Sequence, residues 1–97
     1  MKKFIFKLYI TGYTEVSKQA IENIRRIGEE KLPGNYELAI IDILQNQSLV
    51  KENEILVTPT LVKELPKPSV RIVGNLSDKN KILEELGLEP HTNIGVY

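Results

Sequence analysis

The sequence predicts a single α/β domain in the order β-α-β-α-β-β-α, with a mixed four-stranded sheet and helices on both faces. Three observations lead there. An amphipathic helical stretch separates two apolar, β-branched runs, so those two strands run parallel through a right-handed crossover. Two later runs are divided by Pro66-Lys67-Pro68-Ser69, a turn short enough for an antiparallel pair. Between these halves stands Val57-Thr58-Pro59-Thr60-Leu61, where a proline punctuates the approach to an apolar run.

Phe4 to Ile10 is rich in aromatic and β-branched residues, and Lys7 is its only charge. Both faces of such a strand are covered, which places it inside the sheet. Gly12 and Thr14 break the pattern, and a helix runs from about Glu15 to Lys31. Val16, Ala20, Ile24 and Ile27 recur at helical spacing as one apolar stripe. Thr14 is the better N-cap candidate, and Pro33-Gly34-Asn35 ends the helix.

Tyr36 to Ile43 forms the second strand. Asn46 then caps a short helix from Gln47 to about Glu54. Leu61–Leu65 and Val70–Val73 are the third and fourth strands, and Gly74-Asn75 suits a residue with positive φ. The last element is read as a helix. Ser77 or Asp78 can cap it, Ile82, Leu83 and Leu86 form its stripe, and Gly87 suits the C′ position. Glu84-Glu85 favour a helix over a strand. Residues 88–97 show no periodicity and are expected to be a frayed tail of the same domain.

Composition narrows the function. Thirteen basic residues balance thirteen acidic ones, so no long-range field draws the chain to nucleic acid or anionic lipid. No cysteine is present, which excludes disulfides, thiolate catalysis and Cys-ligated metal within the chain. Lys7 interrupts the first apolar run and no small-residue cleavage site follows, so this run reads as a strand rather than a signal peptide. No stretch approaches the roughly 18–20 apolar residues of a membrane span. A cytoplasmic protein is expected. The Asn46 and Asn75 sequons then read as turn and cap residues.

Few residues invite catalysis. Thr14 and Ser17 are hydroxyls without a histidine nearby in sequence, and capping accounts for them. His91 is the only histidine and has no cysteine partners, so no metal site is expected. The helical carboxylates Glu29, Glu30, Glu52, Glu54, Glu84 and Glu85 read as solvated faces. The six glycines are scattered, so no phosphate loop exists. Tyr13, at a loop tip after Gly12, is a candidate partner contact.

Thr58-Pro59-Thr60 resembles the cis-proline turn of thioredoxin-like domains, with Thr14-Glu15-Val16-Ser17 where a redox thioredoxin carries C-x-x-C. Lys7 through Gly12, Tyr36 through Ile43, Asn46 and Thr58-Pro59-Thr60-Leu61, in order, resemble the KaiB family. Leu65-Pro66-x-Pro68 and Arg71-Ile72-Val73-Gly74-Asn75-Leu76-Ser77 extend the likeness, which runs from about Phe4 to Leu86. The resemblance implies a non-enzymatic protein without cofactor. It implies binding to a KaiC-type ATPase ring, recruitment of KaiA and displacement of a sensor histidine kinase whose own N-terminal domain is KaiB-like.

The resemblance also implies two folds for one chain: a tetramer-forming ground state and a thioredoxin-like monomer that binds KaiC. The alternative ground-state fold makes the final segment a strand, which Glu84-Glu85 and Gly87 oppose. The thioredoxin-like monomer is therefore the expected resting state, with a tetramer as the alternative. Lys63 and Arg71 keep a basic character associated with the partner surface. Gln19, Ala39 and Glu54 stand where clock members often carry basic residues, and Asn75 where relatives carry Asp. These departures mark a divergent paralogue. The rival readings are a redox-inactive thioredoxin-like accessory, in which Pro59 positions a peptide, and a free-standing kinase-sensor-like domain.

Overall fold

The computed structural model describes residues 3–55, 57–74 and 76–88. The elements are β1 (Phe4–Ile10), α1 (Glu15–Lys31), β2 (Tyr36–Asp42) and α2 (Gln47–Asn53), then β3 (Thr60–Leu65), β4 (Val70–Val73) and α3 (Lys79–Glu85). The sheet order is β2-β1-β3-β4. β1 runs parallel to β2 and antiparallel to β3, and β4 pairs antiparallel with β3. The apolar β1 is an interior strand, as its composition predicts.

Alternation sorts the sheet into two faces. Phe6, Leu8 and Ile10 of β1 join Leu61 and Ile72 beneath Ala20, Ile24 and Ile27 of α1 and Ile82 and Leu83 of α3. Burial of each large aliphatic side chain there contributes about 1.5–3 kcal/mol. Tyr9 and Ile55 are buried outside this cluster, so the second face is covered too. Arg71 lies opposite the inward Ile72 and reaches the end of α2. Helices thus occupy both faces.

Local chemistry sets the helix ends. Thr14 is extended, and its Oγ1 accepts from the Ser17 amide at 3.2 Å. Asp78 does the same for the Lys81 amide at 3.2 Å, fixing the start of α3. Gly87 has φ +70, a C′ conformation that a side chain disfavours. The final segment is a helix, not the strand of the alternative fold. Leu88 donates to the Leu83 carbonyl at 2.9 Å and packs on the core. The expected tail beyond it lies outside the described residues.

Two expectations need correction. Val16 is 62% exposed, although its spacing puts it on the α1 stripe. The first turn of α1 looks onto an open groove beside Pro59, Gly74 and Leu76 rather than onto a strand. Ser17 and Asn23 fill the buried face instead. Asn46 occupies the N-cap position of α2 without a side-chain cap bond. Its Nδ2 donates to the Asp42 carbonyl at 3.0 Å, so the amide secures the turn and not the helix.

Candidate docking surface

The C-terminal ends of β1, β2 and β4 and the start of β3 lie at one end of the sheet. Loops leaving that end carry the residues singled out in the sequence. Thr58-Pro59 is a cis peptide, as are Leu65-Pro66 and Lys67-Pro68. Thr58 Oγ1 lies 2.6 Å from Thr11 Oγ1. Thr60, 2% exposed, donates its hydroxyl to the Val57 carbonyl at 2.5 Å. The proline corner is therefore braced by a hydroxyl on each side.

Asp42 organises the neighbouring loop. Its Oδ1 accepts from the Gly12 amide at 3.1 Å and from the Leu44 amide at 3.0 Å. Gly12 has φ +68, a conformation that glycine adopts without steric cost. This carboxylate holds the turns that display Tyr13 and Leu44, which are 59% and 60% exposed. Val57 and Val73 are half exposed at the same end. Among the exposed large hydrophobics of the described residues, only Leu65 belongs to the other end.

Thr14 and Ser17 stand together where the thioredoxin resemblance places thiols. Thr14 donates its hydroxyl to Ser17 Oγ at 3.2 Å while capping α1. Both are engaged in structure as the cap of α1. The adjacent groove, lined by Val16, Gln19, Pro59, Gly74, Leu76 and Ser77, encloses about 240 Å³. Drug-sized ligand pockets run to roughly 300–1,000 Å³, so this groove is small for a cofactor. Among the described residues no group of three His, Cys, Asp or Glu could hold a metal. None of their helices is long and apolar enough to cross a membrane. His91 lies outside the described residues.

The basic candidates separate. Lys63 is 7% exposed, with its ammonium 5.9 Å from the Phe4 ring centroid. Its stem packs inside, as long cationic side chains can. Arg71 is exposed, but its guanidinium donates to the Asn53 and Glu54 carbonyls. Lys7 pairs with Glu64 at 2.9 Å, and that hydrogen bond holds its ammonium above the ordinary lysine range. Burial pushes the Tyr9 hydroxyl up. A hydrogen bond to Glu29 raises Tyr36.

Nothing local in the sequence singles out Leu44, Val57 or Val73 as displayed contacts, or Asp42 as the residue that holds the loops. An aspartate at a strand end is a legible signal for a turn onto the amide two residues on, here Leu44. Its bond to the distant Gly12 amide is tertiary. Exposure of Val57 has no local signature.

The family described as KaiB domain matches residues 7–88. The chain belongs to the KaiB family. Circadian clock protein KaiB3 of Synechocystis sp. is 44% identical over 90 residues, covering 93% of this chain and 88% of that protein. Circadian clock oscillator protein KaiB of Microcystis aeruginosa is 45% identical over 87 residues, covering 90% and 84%. These relatives are named as clock proteins, not as enzymes.

The fold has solved counterparts. The N-terminal domain of Synechococcus elongatus SasA superposes with a TM-score of 0.72 at 20% identity, covering 100% of this KaiB-family chain and 91% of that domain. Chloroplastic thioredoxin z gives a TM-score of 0.71 at 21% identity, covering 89% and 77%. Both are likenesses of fold. The architecture is thioredoxin-like.

Proposed function

We propose that this KaiB-family chain is a non-enzymatic docking module that binds a KaiC-type ATPase ring as a thioredoxin-like monomer in the cytoplasm. It modulates circadian or stress-related signalling through that complex. The observation that carries the reading is the gathering of Tyr13, Leu44, Val57 and Val73 at one end of the sheet, beside a braced proline corner that holds no thiol. Aromatic residues at loop tips provide rigid, amphipathic contact area at protein interfaces. Thr58, Pro59 and Thr60 shape this rim, Tyr13 is the contact, and Arg71 acts at its base. Lys63, buried over Phe4 toward the opposite end of the sheet, stands apart from this rim.

KaiA recruitment and competition with a sensor histidine kinase belong to the same proposal and rest on the family resemblance. The likeness to the SasA domain is one of fold and is consistent with the competition. A titration of the chain against a hydrolysis-competent KaiC ring and a hydrolysis-deficient one tests the reading. Binding to the first and not to the second is expected. No binding to either would overturn it.

A further inference from the structure

Arg71 stands on the edge strand β4 and points away from the α1–α3 core. Its Nη1 donates to the Glu54 carbonyl at 3.0 Å, and its Nη2 to the Asn53 carbonyl at 2.8 Å. Helix C-termini leave such carbonyls without helical partners. A planar guanidinium can satisfy two neighbouring carbonyls at once, whereas an ammonium cannot reproduce that fork. The charge of Arg71 is thus directed into the chain itself.

The segment it holds has few other anchors. α2 carries no buried residue. Glu54 has φ +53, the left-handed conformation that a non-glycine residue adopts at a cost. Its amide makes a 3.3 Å bond to the Lys51 carbonyl, and the Ile55 amide a 3.1 Å bond to the Val50 carbonyl. Just beyond Ile55, which is buried, come exposed Val57 and the Thr58-Pro59 corner. The end of α2 therefore helps to set where that part of the rim stands, together with the Thr11–Thr58 and Thr60–Val57 hydrogen bonds.

We infer that Arg71 is a positioning residue: it fixes the left-handed turn at Glu54 and so places Val57 and Thr58-Pro59 for docking. It acts on binding through that segment and not by presenting its charge to the partner. The inference rests on the docking reading for its effect on affinity, but the clamp itself is testable in the free protein.

The test compares wild type with Arg71→Ala, Arg71→Lys and the double variant Arg71→Ala/Glu54→Gly. In the free proteins, amide hydrogen exchange at Glu54 and Ile55 is expected to quicken about tenfold in Arg71→Ala. Exchange in β1 and α1 stays unchanged, which verifies that the variant is folded. Arg71→Lys lies between, and Glu54→Gly restores part of the protection because glycine accepts positive φ freely. Unchanged exchange at Glu54 and Ile55 in Arg71→Ala would overturn the inference.

Binding to a hydrolysis-competent KaiC ring at two salt concentrations supplies the second arm. Arg71→Ala is expected to weaken binding, and Glu54→Gly to recover part of it without restoring any charge. The salt dependence of affinity should match wild type, since a direct charge contact would be screened. A reduced salt dependence with no recovery would assign Arg71 to direct contact instead. Should wild type fail to bind the ring, the docking reading falls, and the exchange arm alone decides the clamp.

Discussion

Lys79 on α3 donates its ammonium to the Glu30 carboxylate of α1 at 2.5 Å, joining the last helix to the end of the first. Asn23 adds a second tie, its Nδ2 donating to the buried Leu76 carbonyl at 2.9 Å. Together they hold the β4–α3 connection and α3 against α1. Both ties belong to the state in which the final segment is helical.

The first tie is sensitive to acid. Its hydrogen bond to Lys79 holds the Glu30 carboxyl below its ordinary value of 4.5. A carboxylate depressed in the folded state stabilises the fold above that value and loses the contribution as pH falls through its folded pKa. Glu30→Gln is expected to lower the melting temperature slightly at neutral pH and low salt. The gap to wild type should close below pH 4.5, and at high salt, because the pair is exposed and screened. Thermal melts across pH check this, and a gap widening toward acid would contradict it.

The second tie is buried and should cost more. Asn23→Ala leaves the Leu76 carbonyl without that donor, a loss of about 1–3 kcal/mol. Urea denaturation gives the magnitude. Hydrogen exchange in α3 should quicken more than exchange in β1.

Gly28 faces the Tyr36 ring so closely that any Cβ there would collide with it. Gly28→Ala is expected to destabilise the protein by about 1–3 kcal/mol, despite the better helix propensity of alanine. A double-mutant cycle with Tyr36→Ala should show the penalty shrinking once the ring is gone. Equal penalties in both backgrounds would disprove the clash.

Tyr13 offers the cleanest separation of stability from binding. Its side chain is mostly exposed, so Tyr13→Ala should change stability by no more than about 0.5 kcal/mol. Loss of an aromatic anchor should weaken binding to a KaiC ring about tenfold. Calorimetric titration and a denaturation curve on the same sample check both halves.

Much of the fold was legible because its signals are local. Thr14 and Pro33-Gly34 bracket α1, the composition of Phe4–Ile10 marks an interior strand, and Glu84-Glu85 with Gly87 indicate a final helix. The site was less legible because its geometry is tertiary. β1 and β3 shift register between Ile5 and Phe6, and Lys63, opposite Phe6, is packed over Phe4. Period-two alternation from Leu61 puts Lys63 on the core face, but its charge argues for exposure. Only the tertiary packing over Phe4 resolves the conflict. Val16 follows the helical stripe faithfully, yet the groove beside Pro59 leaves it uncovered. Arg71 reads as a free cation until the chain brings Asn53 and Glu54 against it.

The most direct test of the docking account is the mass of the chain in solution, alone and mixed with a hydrolysing KaiC ring. Size-exclusion chromatography with light scattering should give a monomer alone and co-elution with the ring when both are present. A tetramer that stays apart from the ring would contradict it.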